Sequence, residues 1–576
     1  MSGSVASEPH FSAAALAALD PVRAASFLCG GTKDRFAFKQ QLLQAATVID
    51  PPGGMSAPMR LYPDLAVEHF PVSSADTQAR GYFNQGLMLA FGFNHAGAVR
   101  SFREAQRIDP QCALCWWGEA LALGPNINAA MDARDREAAL AAITRAHALR
   151  GNATPAEQAL IEAMAKRYSS DPGMDRAALD AAYADAMIDV ARRFPAQDDI
   201  AVMAAEAIMD TTPWNYWAAD KKTPVGRSAD AVRLVEQVLA RNPAHVQAAH
   251  LYVHLMENSA DPQRAEAAAD RLGRPLAPSA GHLVHMPSHI YHAVGRYADS
   301  MRVNIAAARA DEAFIKDSGD KGLVRYGYYP HNVHFIVIAA QMAGDMRTAV
   351  REAQRLSSML DPETSAKIAW IQAIDAAPFL AMAQFATPKA ILAMPPADRR
   401  LPYPTAMRHY ARAVAYAQLQ NRAGFESELS AMARLRQSDA FADMIAQGVP
   451  SPDLLALAEA VARGRFAFAQ GRYAEAATHY RAAIALEGGI PYQEPPYWYF
   501  PVSQALGAAL LRVGKPQDAS AAFRAALAQS PRNGWALYGL AKSEEAQGHA
   551  LEAAAARKSL EQLWIGDPAW LRVERL

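Results

Sequence analysis

Apolar and small residues recur along most of the chain at helical spacings of three and four. They fall in pairs of stretches joined by short polar turns, and the pattern repeats about every 34 residues. One unit begins at Ala79 and places Tyr82, Gly86, Ala98, Phe102, Ala105 and Pro110 at unit positions 4, 8, 20, 24, 27 and 32. Small residues at 8 and 20 let two helices approach closely, the ring at 24 fills the gap to the next pair, and the proline ends the second helix. Gly464, Gly471, Tyr473, Ala476, Tyr480 and Ala483 form another unit, and Gly507, Gly514, Ala519, Phe523, Ala526 and Pro531 the next; a degenerate last unit follows from Gly534, with Trp535, Trp564 and Trp570 placed to close the end of the stack. In the middle, Pro195 and Pro243 end units, which puts the next starts at Asp198 and Val246; the stretch 295–308 and Gly344 with Ala349 imply further units from Gly281 and near Pro330. The predicted fold is all-α: a solenoid of antiparallel helix pairs.

These positions resemble the tetratricopeptide repeat signature, and that resemblance implies a right-handed superhelix. Residues 1–78 do not fit the repeat; 51–58 (PPGGMSAP) is read as a loop, and the stretch after it as an extended lead-in. Residues 79–387 form an N-terminal and central superhelix, the proline-rich 388–404 a break, and 405–576 a C-terminal repeat block. The insert 488–503 (GGIPYQEPPYWYFPVS) is too aromatic and too proline-rich for a plain inter-repeat turn.

Composition narrows the partners. Hydrophobic residues make up 51% of 576, enough for a large buried interior. Fifty-seven basic against 58 acidic residues leave a net charge of -1, with no general attraction to nucleic acid or an anionic membrane. No run approaches a membrane span, and the N-terminus lacks a basic stretch followed by a strong apolar core, so the expected location is the cytoplasm. Three cysteines make no disulfide framework. Cys112 and Cys115, with Cys29 as the remaining thiol, admit three readings: buried packing, favoured here, a local disulfide, or metal or redox work.

The histidines carry the candidate chemistry. Nine of 16 fall between His245 and His334. In a tetratricopeptide superhelix, first-helix positions 2, 5, 9 and 12 face the inner groove. His250, His254 and Glu257 fall at 5, 9 and 12 of one unit; His282, His285, His289 and His292 at 2, 5, 9 and 12 of another; His331 and His334 at 2 and 5 of a third. Spacings of three and four keep side chains on one helical face, so these residues converge across neighbouring helices. Neutral imidazole is a common ligand for copper, iron and zinc, which makes a transition metal, one ion or more, the expected cofactor. His250, His254, His285, His289, His331 and His334 with Glu257 form the expected centre. His282 has the least secure register, because Pro287 bends or delays its helix. His245 precedes its helix and is read as incidental. Recognition of an acidic peptide or a phosphate, and structural hydrogen bonding, remain the alternatives. Glu206 and Asp210, His292, the amides Asn126 and Asn128, and the aromatics Trp214, Tyr216 and Trp217 are candidate pocket or supporting residues. No phosphate loop, dinucleotide fingerprint, nucleophile elbow or H-E-x-x-H is present.

WGEALALGPNIN, HLYVHLMENS, GHLVHMPSHIYHAVGRYADS and YYPHNVHF together resemble a group of large bacterial tetratricopeptide-repeat proteins. That resemblance implies the fold and no particular activity. The resulting expectation is a metal-dependent enzyme, an oxidoreductase acting on a small molecule inside the superhelix. Its alternatives are a scaffold for a protein or peptide segment and a transition-metal storage or delivery protein. An enzyme requires an enclosed site, a scaffold an open groove.

Overall fold

The computed structural model describes residues 59–67, 70–274, 276–491 and 493–576. Cys29 and the loop 51–58 lie outside them. The described chain is a succession of helices packed on their sequence neighbours, from Thr77–Phe91 with His95–Ile108 to Gly534–Ala546 with Ala550–Leu563. Helices begin at Asp198, Val246 and Gly281, where the repeat pattern places them, and at Tyr329. The molecule is an all-α superhelix of helix pairs. No described helix is long and apolar enough to cross a membrane.

The repeat glycines explain the close approach. A Cβ on Gly86 would stand 2.8 Å from the Phe102 ring and one on Gly118 2.3 Å, so this ring is wedged between its own pair and the next. Phe523 sits the same way between Gly507 (2.8 Å) and Gly539 (2.2 Å). Gly118→Ala is therefore expected to lower stability by about 1–3 kcal/mol through overpacking, read as a lower thermal midpoint with helicity retained.

The superhelix closes on itself. Ahead of the helix Thr77–Phe91, Tyr62 packs on Phe314 (6.2 Å between rings), and Asp64 accepts hydrogen bonds from the Ser279 N–H and Oγ, both at 2.8 Å. The C-terminal repeats dock on the middle: Tyr297 Oη donates to the Pro531 carbonyl (2.9 Å) and Trp535 Nε1 to that of Gln341 (2.9 Å). Trp564 lies over Gly344, whose φ of +83° suits glycine. Trp535 and Trp564 thus join two blocks rather than cap a free end. The proline-rich stretch 388–404 buries Ile391, Leu401 and Tyr403. Ile391 and Tyr403 belong to the same core as the C-terminal repeats.

Cys112 caps the helix Ala113–Leu123 and is joined to Cys115, one turn on, in a disulfide; both are fully buried. The expectation of simple packing is corrected: adjacent turns bring the two Cα atoms to 5.4 Å, within bridging distance. Bonded sulfurs are not available as thiolate ligands.

Candidate metal centre

Three inner helices supply the site: Val246–Met256, the pair Gly281–His285 and Pro287–Ala293, and Tyr329–Ala343. The middle one is interrupted at Met286 because Pro287 has no N–H to continue the ladder. His250, His254 and His282 bring one ring nitrogen each to within 4.8 Å of one another. Their ring centroids are 4.8, 5.2 and 6.1 Å apart. Phe93, from the first inter-helix turn, packs on all three at 4.8, 5.8 and 5.1 Å, and Trp214 meets His254 edge-on at 5.1 Å. Phe93 (φ +54°) and Trp214 (φ +65°) both hold left-handed backbone, which costs a bulky residue about 1–3 kcal/mol.

His285, His289 and His331 form a second group with the same 4.8 Å limit, and Phe335 lies 5.0–5.1 Å from each ring. The groups abut: His282 is 5.9 Å from His285 and His254 6.1 Å from His289, no farther than rings within a group.

Hydrogen bonds fix which nitrogen of each ring is bare. Gln247 Nε2 donates to Glu206 (3.1 Å), so Gln247 Oε1 accepts from His250 Nδ1–H at 2.9 Å. Asn304 Nδ2 donates to the Ser300 carbonyl (2.7 Å), so Asn304 Oδ1 accepts from His285 Nδ1–H at 2.6 Å. Glu257 Oε1 accepts from His254 Nδ1–H at 2.8 Å. His289 Nδ1 lies 2.6 Å from Glu257 Oε2 and donates to Glu494. In all four rings Nδ1 is held by an oxygen, the kind of contact that orients imidazoles serving as metal ligands, and the Nε2 atoms of His285 and His289 share a hydrogen bond at 2.8 Å. Among the described residues, His250 Nε2 and both ring nitrogens of His282 are buried with no hydrogen-bond partner. Such groups are costly unless something pairs with them.

Burial drives the titration of His250, His282 and His285 well below the usual histidine range, with neighbouring imidazoles adding to it, so these rings are neutral at neutral pH. His289 is opposite: burial lowers it, but Glu257 and Glu494 outweigh that and raise it to about 10. Burial, then the charge of Glu257, pushes the Glu494 carboxyl up to about 7.

The other candidates are placed elsewhere. His334 leaves the expected centre: its Nε2 shares a 2.5 Å hydrogen bond with Tyr499 Oη. His282, the least secure by register, takes a place in the first group instead. Glu257 contacts Nδ1 of His254 and of His289 and belongs to neither group of three histidines; with His289 and Glu494 it forms a third set of donor atoms within 4.8 Å of one another. His292 packs on Tyr297 at 5.2 Å, and His245 caps its helix through Nδ1 (3.2 Å from Ala248 N). Asp210 pairs with buried Arg167 (2.6 Å). Asn126 contacts His95 (3.0 Å), Asn128 accepts from Trp214 Nε1 (3.1 Å), Trp217 Nε1 donates to the Leu255 carbonyl (2.6 Å), and Tyr216 is buried nearby. Sequence reasoning missed Phe93, Gln247, Asn304, Glu494 and Tyr499. For the last two, the unusual composition of 488–503 was the available signal.

His334 makes a pH test. Burial holds it at about 3, against 6.5 for an exposed histidine. Between these values the unfolded chain binds a proton that the folded chain does not, so stability falls as pH drops below 6.5. His334→Gln is expected to flatten the pH dependence of the metal-free denaturation midpoint by one proton, about 1.4 kcal/mol per pH unit between pH 6 and 4. An unchanged slope would contradict the assignment.

No protein-family model matches the chain, and no curated protein matches it in sequence. Solved structures that it resembles include a human IFIT1 dimer with m7Gppp-AAAA (11% identity, 93% of this chain and 96% of that one, TM-score 0.29). Others are Naa15/Naa10 bound to HypK-THB (12%, 86% and 75%, 0.20) and the APC/C hetero-tetramer Cut9-Hcn1 (14%, 84% and 90%, 0.25). Likenesses this distant bear on no residue of the site.

Proposed function

We propose that this chain is a metalloprotein whose buried histidines hold a transition metal, and that the centre acts on a small molecule inside the closed superhelix. The observation that carries the reading is the set of imidazoles tied at Nδ1 by Glu257, Gln247, Asn304 and Glu494, with Nε2 turned toward neighbouring rings. A histidine-only donor set favours copper or zinc, and the carboxylates beside His289 keep iron in view. When bound, such an ion supplies Lewis-acid polarisation or, for copper and iron, electron transfer, which would make the protein an oxidoreductase. The chain's own contribution is orientation and dryness: Phe93, Trp214 and Phe335 wall the imidazoles with apolar rings. A cavity of about 10 Å³ borders His282, Asp311 and Tyr328, room for about one water, and one of about 100 Å³ borders Phe93, Asn126 and Asp320 without reaching a triad histidine.

The scaffold reading rests on one observation: an extended segment does lie across the inner face. That segment is the chain's own insert, which delivers Glu494 and Tyr499. A storage or delivery role is disfavoured because exchange needs accessible ligands, and His250, His254 and His285 are at most 1% exposed.

Azide tests the chemical reading. The copper(II)-loaded protein is expected to develop a new charge-transfer absorption on azide titration, because three imidazoles leave a coordination position open. A spectrum indifferent to azide would mark a saturated, structural ion and overturn the proposal.

A further inference from the structure

The two histidine groups do not share a residue, and that decides how many ions the centre takes. Resting on the metal-binding reading above, we infer that the centre is dinuclear: one transition-metal ion belongs to His250, His254 and His282, and a second to His285, His289 and His331.

Each group is sufficient by itself. Three imidazoles satisfy most of a four-coordinate copper or zinc ion and leave one position open. In the second group, His285 Nε2 and His289 Nε2 share a hydrogen bond at 2.8 Å, which an ion would replace. Two nitrogens at about 2.0–2.1 Å from one ion have that separation when they subtend about 90°, and a tetrahedral angle asks only about half an ångström more. In the first group, His250 Nε2 and both nitrogens of His282 are buried without hydrogen-bond partners, so an ion there would satisfy atoms that the protein leaves unpaired.

The groups are also built as one unit. Glu257 places Oε1 on His254 Nδ1 (2.8 Å) and Oε2 beside His289 Nδ1 (2.6 Å), so a single carboxylate orients one ligand of each ion. With rings 5.9 and 6.1 Å apart across the boundary, the two triads adjoin. A carboxylate that steadies both ligand sets and a shared apolar wall describe a centre designed around a pair of ions, able to hold a small ligand between them.

A competing occupancy would use Glu257, His289 Nδ1 and Glu494 as a separate three-donor set, whose ligand atoms also lie within 4.8 Å. His289 then points its Nδ1 at the ion and gives up the Glu257 and Glu494 hydrogen bonds that aim its Nε2. The dinuclear arrangement keeps both.

The test is a copper(II) titration of untagged, metal-free full-length protein, with bound metal measured after dialysis and the product examined by electron paramagnetic resonance. Two ions per chain are expected, with a spectrum broadened or lost through coupling. His250→Ala and His331→Ala, one from each triad, should each retain one ion and give a simple mononuclear spectrum. His282→Asn serves for the first triad if His250→Ala does not fold, as judged by circular dichroism. Glu494→Gln should still take up two ions at saturating copper, the second about 10–100-fold more weakly because His289 loses a supporting contact. The inference is overturned by wild-type saturation at one ion, by complete loss of binding in both single-triad variants, by loss of an ion in Glu494→Gln, or by two unperturbed mononuclear spectra. Absence of any bound metal would instead overturn the reading on which it rests.

Discussion

Alanine at position 289 is expected to release metal and to weaken the protein at the same time. His289 offers Nε2 to the second triad and Nδ1 to Glu257 and Glu494. Without its imidazole the second triad loses one of three donors. Metal affinity there should fall by more than the 10–100-fold typical of a lost supporting contact, because a ligand itself is gone. The two carboxylates meanwhile remain, Glu257 at 5% exposure, with no cation between them. Removing one partner of a buried pair costs about 3–5 kcal/mol, so the denaturant midpoint of the metal-free variant should drop markedly. Chelator competition reads the first effect and chemical denaturation the second. Wild-type affinity in the variant would place the centre elsewhere.

Glu257→Gln should act differently. It preserves size and one acceptor oxygen but cannot accept from both His254 and His289. One imidazole therefore loses the contact that holds its tautomer, and the charge that favours cationic metal is removed from beside both triads. Affinity is expected to fall 10–100-fold at the triad that loses its acceptor and less at the other, with helicity unchanged. A loss confined to stability, with metal affinity intact, would make Glu257 a structural residue only.

Much of the fold was legible because a solenoid repeats its packing rule locally. Pro243 and the small residues after it give the helix start at Val246, and the glycine–aromatic pairing of Gly86 with Phe102 recurs at Gly507 with Phe523. The convergence of His250, His254, His285, His289 and His331 follows from the same register. What was not legible depends on distance and on one proline. Counting from Gly281 puts His282 on the groove face, and only the expected bend at Pro287 argued against it; nothing near His334 announces Tyr499, 165 residues away. The pitch of the superhelix is a sum of small rotations that no single unit records. Consequently the sequence could not show that Phe93 and the insert 488–503 meet at the histidines and turn a groove into an enclosed interior. Glu257 lay on the right face, but its role behind two imidazoles depends on where Nδ1 of each ring points, which spacing does not encode.

The most direct test of the central claim is elemental analysis of the untagged protein, purified without chelators. At least one transition metal is expected at stoichiometric level, with the ion of the second triad lost on His289→Ala and the full content regained by the wild type after stripping and titration. Less than about 0.1 equivalent of every metal, with no uptake on titration, would contradict it, since imidazoles oriented through Nδ1 in this way are suited to bind metal.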